Sequence, residues 1–203
     1  VDPDACRQAG LGVVAHVELC DAAFERVLAM IADIRMGDVR DFRNFMGAVI
    51  DRGAFDTIQG YIEHAKKSTD AEILFGGGCD SRKGWFIEPT VVLTTDPDFK
   101  LMREEIFGPI VCALRWKDED EAVRLANATE FGLTAAVWTS DPEAGLALGE
   151  QVETGTWFMN RCDYLDPALA WVGVKDSGRG CTLSRVGYEH LTRPKSFHLR
   201  VKV

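Results

Sequence analysis

The sequence predicts an α/β fold with one central, largely parallel sheet flanked by helices. Strand-length apolar runs alternate with amphipathic stretches of helical length from residue 108 to 160. That order favours a parallel or mixed sheet with helices on its faces. Hydrophobic residues make up 46% of the 203, enough to build a full core and to argue against wholesale disorder. The length suits one sizeable domain or two very small ones.

Each element has its own local signal. "LGVVAHVEL" reads as a buried strand near 12–18, and Asp21 as the cap of a helix with Ala23, Val27, Met30, Ile31 and Ile34 on one face. Gly37 ends that helix. "DRGAFDTIQGYIEHAKK" predicts a second helix striped by Phe55, Ile58, Tyr61, Ile62 and Ala65. "AEILFGGG" is a strand (72–76) running into a glycine turn, and "GWFIEPTVVLT" is another (86–94). "IVCALRW" supplies a strand over 109–116, and Asp118 and Glu121 then stand at capping-box spacing at the head of a helix. Strands near 133–139 and 155–160 flank a helix that opens on Asp141-Pro142. The tail "SFHLRVKV", 196–203, alternates apolar and basic residues as an edge strand, or one lent to a neighbour, would.

Composition excludes several functions. A formal net charge of −9 argues against sequence-independent nucleic-acid binding. No apolar run reaches transmembrane length, and "VDPDACRQAG" lacks the pattern of a secretory signal, so no membrane partner and a cytoplasmic location are expected. Six scattered cysteines without CxxC fit a reducing compartment. Four histidines without HxxxH or HxH spacing give no zinc signature, and no metal is expected.

"REEIFGPIV", 103–111, sets two carboxylates directly against Ile106 and a Phe107 that reads as buried, before a Gly-Pro turn into a strand. This run, then "NATEFGLTAAVWTSD", "GTWFMN" and "GVKDSGRG", resembles the aldehyde dehydrogenase superfamily in motif order and approximate spacing. The segment from Met36 to Val92 is most similar to the pyrroline-5-carboxylate (glutamate-semialdehyde) dehydrogenase branch. The likeness covers nearly the whole chain but only the C-terminal part of a family member. It implies a catalytic domain over 1–195 and an oligomerisation strand over 196–203, hence a homo-oligomer.

The resemblance also implies roles. Glu105 would hold the nicotinamide-side ribose hydroxyls of NAD or NADP, and Phe107 would pack beside the nicotinamide. A carboxylate accepts two hydroxyl hydrogen bonds well, and an apolar ring keeps water from the hydride path. Cys6 falls near the position of the nucleophile, although Asp2 and Asp4 in "DPDAC" are the wrong sign for lowering a thiol pKa. Asn160, Cys162, Tyr164 and Trp171 lie in the substrate-contacting stretch. "RCDYLDPALAW" lacks a small, glycine-rich anchor for an α-amino-acid end, so Tyr164, Leu165, Leu169 and Trp171 point to an apolar or aromatic aldehyde.

The general-base setting and the dinucleotide-binding domain are not found among these residues. The resemblance therefore implies an N-terminal cofactor domain as partner. Two functional readings stand. One is the catalytic portion of an NAD(P)-dependent enzyme that oxidises an aldehyde to a carboxylic acid through a cysteine thiohemiacetal and thioester. The other is a non-catalytic binding or assembly domain of the same type. A Cys-His hydrolase would need His16 set against Cys6, and His16 has no recognisable partner.

Overall fold

The computed structural model describes residues 13–162 and 164–202, of which 13–20 through their main chain only. The chain divides into two compact units, with the boundary between Thr129 and Glu130. The first contains β1 (Val13–His16), α1 (Val17–Ala32), α2 (Arg52–Lys67), β2 (Ala71–Phe75), β3 (Cys79–Asp80), β4 (Phe86–Ile87), β5 (Thr90–Thr94), α3 (Lys100–Arg103), β6 (Ile110–Trp116) and α4 (Glu119–Asn127). Its four-stranded sheet runs β1-β6-β5-β2. β1, β6 and β5 are parallel, and β2 joins β5 antiparallel at the edge.

The core of this unit lies where α2 meets that sheet. Ile58, Ile62, Val92, Leu101 and Ile110 are each at most 1% exposed. Burying one such side chain is worth roughly 1.5–3 kcal/mol relative to leaving it in water. Asp51 caps α2 by accepting a hydrogen bond from the Ala54 N–H at 2.8 Å, and His64, Lys66 and Lys67 suit the negative end of its dipole. The expected stripe of α2 is the observed one, with Tyr61 at its half-buried margin. At the end of β2, Gly76 has φ +75°, and a Cβ there would stand 2.0 Å from the Pro89 carbonyl oxygen. Only glycine allows that approach.

Several sequence expectations need correction. The first strand is shorter than 12–18, because the helix begins at Val17. Asp21 is therefore inside α1 rather than its cap, and it pairs with Arg115 at 2.6 Å. The inward face of α1 carries Phe24, Leu28 and Ile31, while Val27 and Met30 are exposed. "VELCDAAFERVLAMIA" is apolar on most sides, so periodicity alone could not choose the face. The strand expected over 86–94 is two strands broken at Glu88-Pro89, where Pro89 cannot donate to a ladder. β4 instead pairs with β3, and the Glu88 N–H donates to Gly78 O at 2.9 Å. α3 had no sequence signal.

The second unit contains β7 (Phe131–Gly132), β8 (Thr134–Val137), α5 (Pro142–Gly149), β9 (Thr156–Met159), β10 (Val174–Lys175) and α6 (Ser184–His190). β8 and β9 pair in parallel, and β10 pairs antiparallel with β7. These strands form their own small sheets, so the single sheet expected from the sequence is divided among the described residues. Their apolar runs are four residues or shorter and find partners locally. Asp141 caps α5 through the N–H groups of Glu143 and Ala144, as its Asp-Pro opening predicted. The tail forms no ladder with the described residues, and Phe197, Leu199 and Val201 are 72%, 79% and 92% exposed. No helix among the described residues is long and apolar enough to cross a membrane.

Candidate active site

The "REEIFGPIV" segment connects α3 to β6 and separates its two carboxylates. The Glu104 N–H closes α3 on Lys100 O at 3.0 Å. Its side chain accepts a 2.6 Å hydrogen bond from the Tyr61 hydroxyl on α2 and lies 3.8 Å from Lys100 Nζ. The bond to Glu104, with partial burial, pushes the Tyr61 hydroxyl up to about 12, so it remains a donor at neutral pH. Glu105 is exposed and bonds to none of the described residues. Ile106 returns to the core at 5% exposure.

Phe107 reverses the sequence expectation. It is 64% exposed, and its backbone is left-handed at φ +51°. Its two neighbours impose this. Ile106 is buried, and Gly108 lies so close to Ile58 that a Cβ would meet the Ile58 side chain at 2.8 Å. A non-glycine residue in the left-handed region costs on the order of 1–3 kcal/mol and persists where its surroundings over-determine it. The outcome is an apolar ring held in solvent beside an unengaged carboxylate.

The substrate-side candidates lie in the second unit. Asn160 follows β9 with φ +55°. Its Oδ1 accepts from the Thr139 N–H at 2.9 Å, and its Nδ2 donates to Thr139 O at 2.8 Å. Both ends of the amide thus bind the segment leaving β8. Cys162 is an exposed free thiol. The Tyr164 ring is 56% exposed, with the Arg161 guanidinium 3.8 Å from its centroid. Leu165 and Leu169 are exposed, whereas half-buried Trp171 is held by paired backbone bonds with Thr182. The "GVKDSGRG" motif makes structural contacts: Ser177 Oγ accepts from the Gly132 N–H at 2.9 Å, and Lys175 pairs with Glu153 at 2.9 Å.

Cys112 is a buried core thiol that burial pushes up to about 12, as expected of a small hydrophobe. Cys6 lies outside the described residues, as do the side chains of His16 and Cys20. Among the described residues, no three His, Cys, Asp or Glu side chains gather as a metal site would require.

Comparison with known proteins decides the lineage. The model of the aldehyde dehydrogenase family matches residues 6–197. The chain belongs to the aldehyde dehydrogenase family. It is similar to the mitochondrial delta-1-pyrroline-5-carboxylate dehydrogenase of Dictyostelium discoideum, with 43% identity over 119 residues (57% of this chain and 21% of that protein). Betaine aldehyde dehydrogenase of Brucella anthropi is 34% identical over 95% of this chain and 40% of its own length. The aldehyde dehydrogenase of Bacillus cereus, solved as an NAD+ complex, superposes with a TM-score of 0.89 at 28% identity. That superposition covers 96% of this chain and 39% of the Bacillus chain. The chain therefore spans about two fifths or less of the length of these relatives.

The sequence motif points to Glu105 and Phe107 but not to the side chains on α2 that contact the turn carrying them. Helical periodicity places Tyr61 in the apolar stripe of α2. Its hydroxyl was the overlooked signal, since a tyrosine at a half-buried helix margin usually finds a polar partner. Ile58 is core, as its place in the stripe predicts, and its contact with Gly108 also shapes the turn.

Proposed function

We propose that this chain carries the nicotinamide-end and substrate-end groups of an NAD- or NADP-dependent aldehyde dehydrogenase that oxidises an aldehyde to a carboxylic acid. The observation that carries the reading is the 105–107 turn. One glutamate of the pair is engaged by Tyr61, and the other stands free beside a strained, exposed phenylalanine. That donor-free carboxylate suits the two hydroxyls of a ribose, because an ionised carboxylate only accepts. The bound cofactor supplies a hydride acceptor. Glu105 fixes the ribose, and Phe107 covers an apolar face and excludes water from it. These contacts reach one end of a dinucleotide, so the chain alone is expected to bind it weakly and not to oxidise aldehydes. The remaining contacts are assigned to an N-terminal cofactor domain.

On the substrate side, exposed Tyr164, Leu165 and Leu169 support an apolar or aromatic aldehyde. Cys162 and Trp171 are assigned to the same surface, and Asn160 shapes its start through Thr139. The nucleophile is assigned to Cys6 on sequence resemblance. The exposed, unpaired tail supports a homo-oligomer in which residues 196–203 join the sheet of a second copy.

A chimera tests the enzymatic reading. This chain replaces the matching segment of the Bacillus cereus enzyme, and aldehyde-dependent reduction of NAD+ is followed in a single turnover. Glu105→Gln should slow hydride transfer about tenfold or more, a barrier change of ~1.4 kcal/mol. A folded chimera that binds NAD+ but leaves the aldehyde unoxidised contradicts the reading. An unchanged rate in the variant removes Glu105 from the site.

A further inference from the structure

Both ends of the cofactor-facing turn rest on the same helix, within one turn of each other. At the leading end, the Tyr61 hydroxyl donates to Glu104 at 2.6 Å, and Lys100 Nζ lies 4.9 Å from the Tyr61 ring centroid. At the trailing end, Gly108 sits against Ile58, where a side chain would clash. Residues 58 and 61 are three apart and share one face of α2. Between the two contacts the chain must place Ile106 in the core, and Glu105 and Phe107 face outward. Arg103 secures the approach by hydrogen bonds to Asp98 and to the Ala128 carbonyl.

We propose that Tyr61 is a positioning residue for the cofactor: its bond to Glu104 and the seat of Gly108 on Ile58 form a two-point clamp. The clamp holds Glu105 and Phe107 in their presenting geometry. The proposal rests on the reading of Glu105 and Phe107 given above and deepens it. Tyr61 touches neither cofactor nor substrate and acts through Glu104. The bond to Glu104 pushes the Tyr61 hydroxyl up to about 12, so over the physiological range it keeps the proton that it donates. Both carboxylates are exposed, but Glu104 is committed to this bond, which leaves Glu105 as the one of the pair that bonds to none of the described residues. The ion pair from Lys100 is long and exposed and adds little.

The test uses the intact chain and separates the clamp from cofactor binding. A left-handed residue gives a strong intraresidue NMR contact between its amide and α protons, so Phe107 reports the turn without any ligand. In Tyr61→Phe and Glu104→Leu that contact should weaken. In Glu104→Gln, whose amide oxygen still accepts from Tyr61, it should persist. Amide shifts on titration with NAD+ then read the consequence. Affinity should fall about threefold to tenfold in Tyr61→Phe and Glu104→Leu, with no further loss in the double variant, and return toward the parent value in Glu104→Gln. An unchanged Phe107 contact in Tyr61→Phe overturns the clamp, whatever NAD+ does. A weakened contact with unchanged NAD+ affinity shows a purely structural bond and overturns the positioning role. If the parent chain shows no NAD+-dependent shifts at any residue of the turn, the cofactor reading of Glu105 and Phe107 falls instead.

Discussion

Phe107 combines backbone strain and exposure in one residue. Its φ of +51° is unfavourable for an aromatic side chain, and its ring is 64% exposed, so neither backbone nor burial rewards it locally. Glycine would relieve the backbone strain but add entropy to the unfolded chain. Phe107→Gly should therefore leave stability unchanged or raise it by about 1 kcal/mol, since the two effects oppose each other. It should also abolish NAD+-dependent shifts at Glu105. Urea denaturation and NMR on the same sample check both halves, and a clear loss of stability would mean that the ring packs in the folded protein. The sequence marked this residue for function but placed it in the core. Exposure here depends on Gly108 meeting Ile58, a contact 50 residues away in the chain.

Elements were legible where one local signal dominated. The stripe of α2, the Asp118 and Asp141 caps and β6 all follow from side chains within a few residues of each other. Asp118 accepts from the Glu121 N–H at 2.9 Å, and Glu121 returns a bond to the Lys117 N–H at 2.9 Å. Other elements depend on tertiary packing to decide between equal local choices. α1 is apolar on most sides, and the 86–94 run is cut by a proline whose effect depends on a hairpin with β3. The Glu105–Phe107 pair was legible only as a motif, and its support from Tyr61 was not, because a sequence does not show which helix face meets which turn. Since α2 both fills the core and holds that turn, Ile62→Ala, at a fully buried site, should destabilise the first unit by about 3 kcal/mol. An unchanged denaturation midpoint would show that α2 is not integral to the core.

At the scale of the whole molecule, the family is shown by a match from residue 6 to 197, while the chain covers about two fifths or less of its relatives. The division after Thr129 puts Glu105 and Phe107 on the first unit and Asn160, Cys162, Tyr164 and Trp171 on the second. The sequence showed motif order across both but gave no sign of that boundary. The alternating tail was legible as a strand pattern, yet a strand needs a partner, and none of the described residues provides one. Deleting residues 196–203 should lower the assembled fraction measured by light scattering. A monomer both with and without the tail would rule out its role in association.

The central claim is that Glu105 and Phe107 form the nicotinamide end of a cofactor site. Its most direct test is an NMR titration of this chain with NAD+, comparing the parent with Glu105→Gln. Weak, saturable shifts confined to residues 104–108 and their contacts on α2 are expected, lost or strongly reduced in the variant. Shifts elsewhere with residues 104–108 unmoved, or equal shifts in parent and variant, would contradict it.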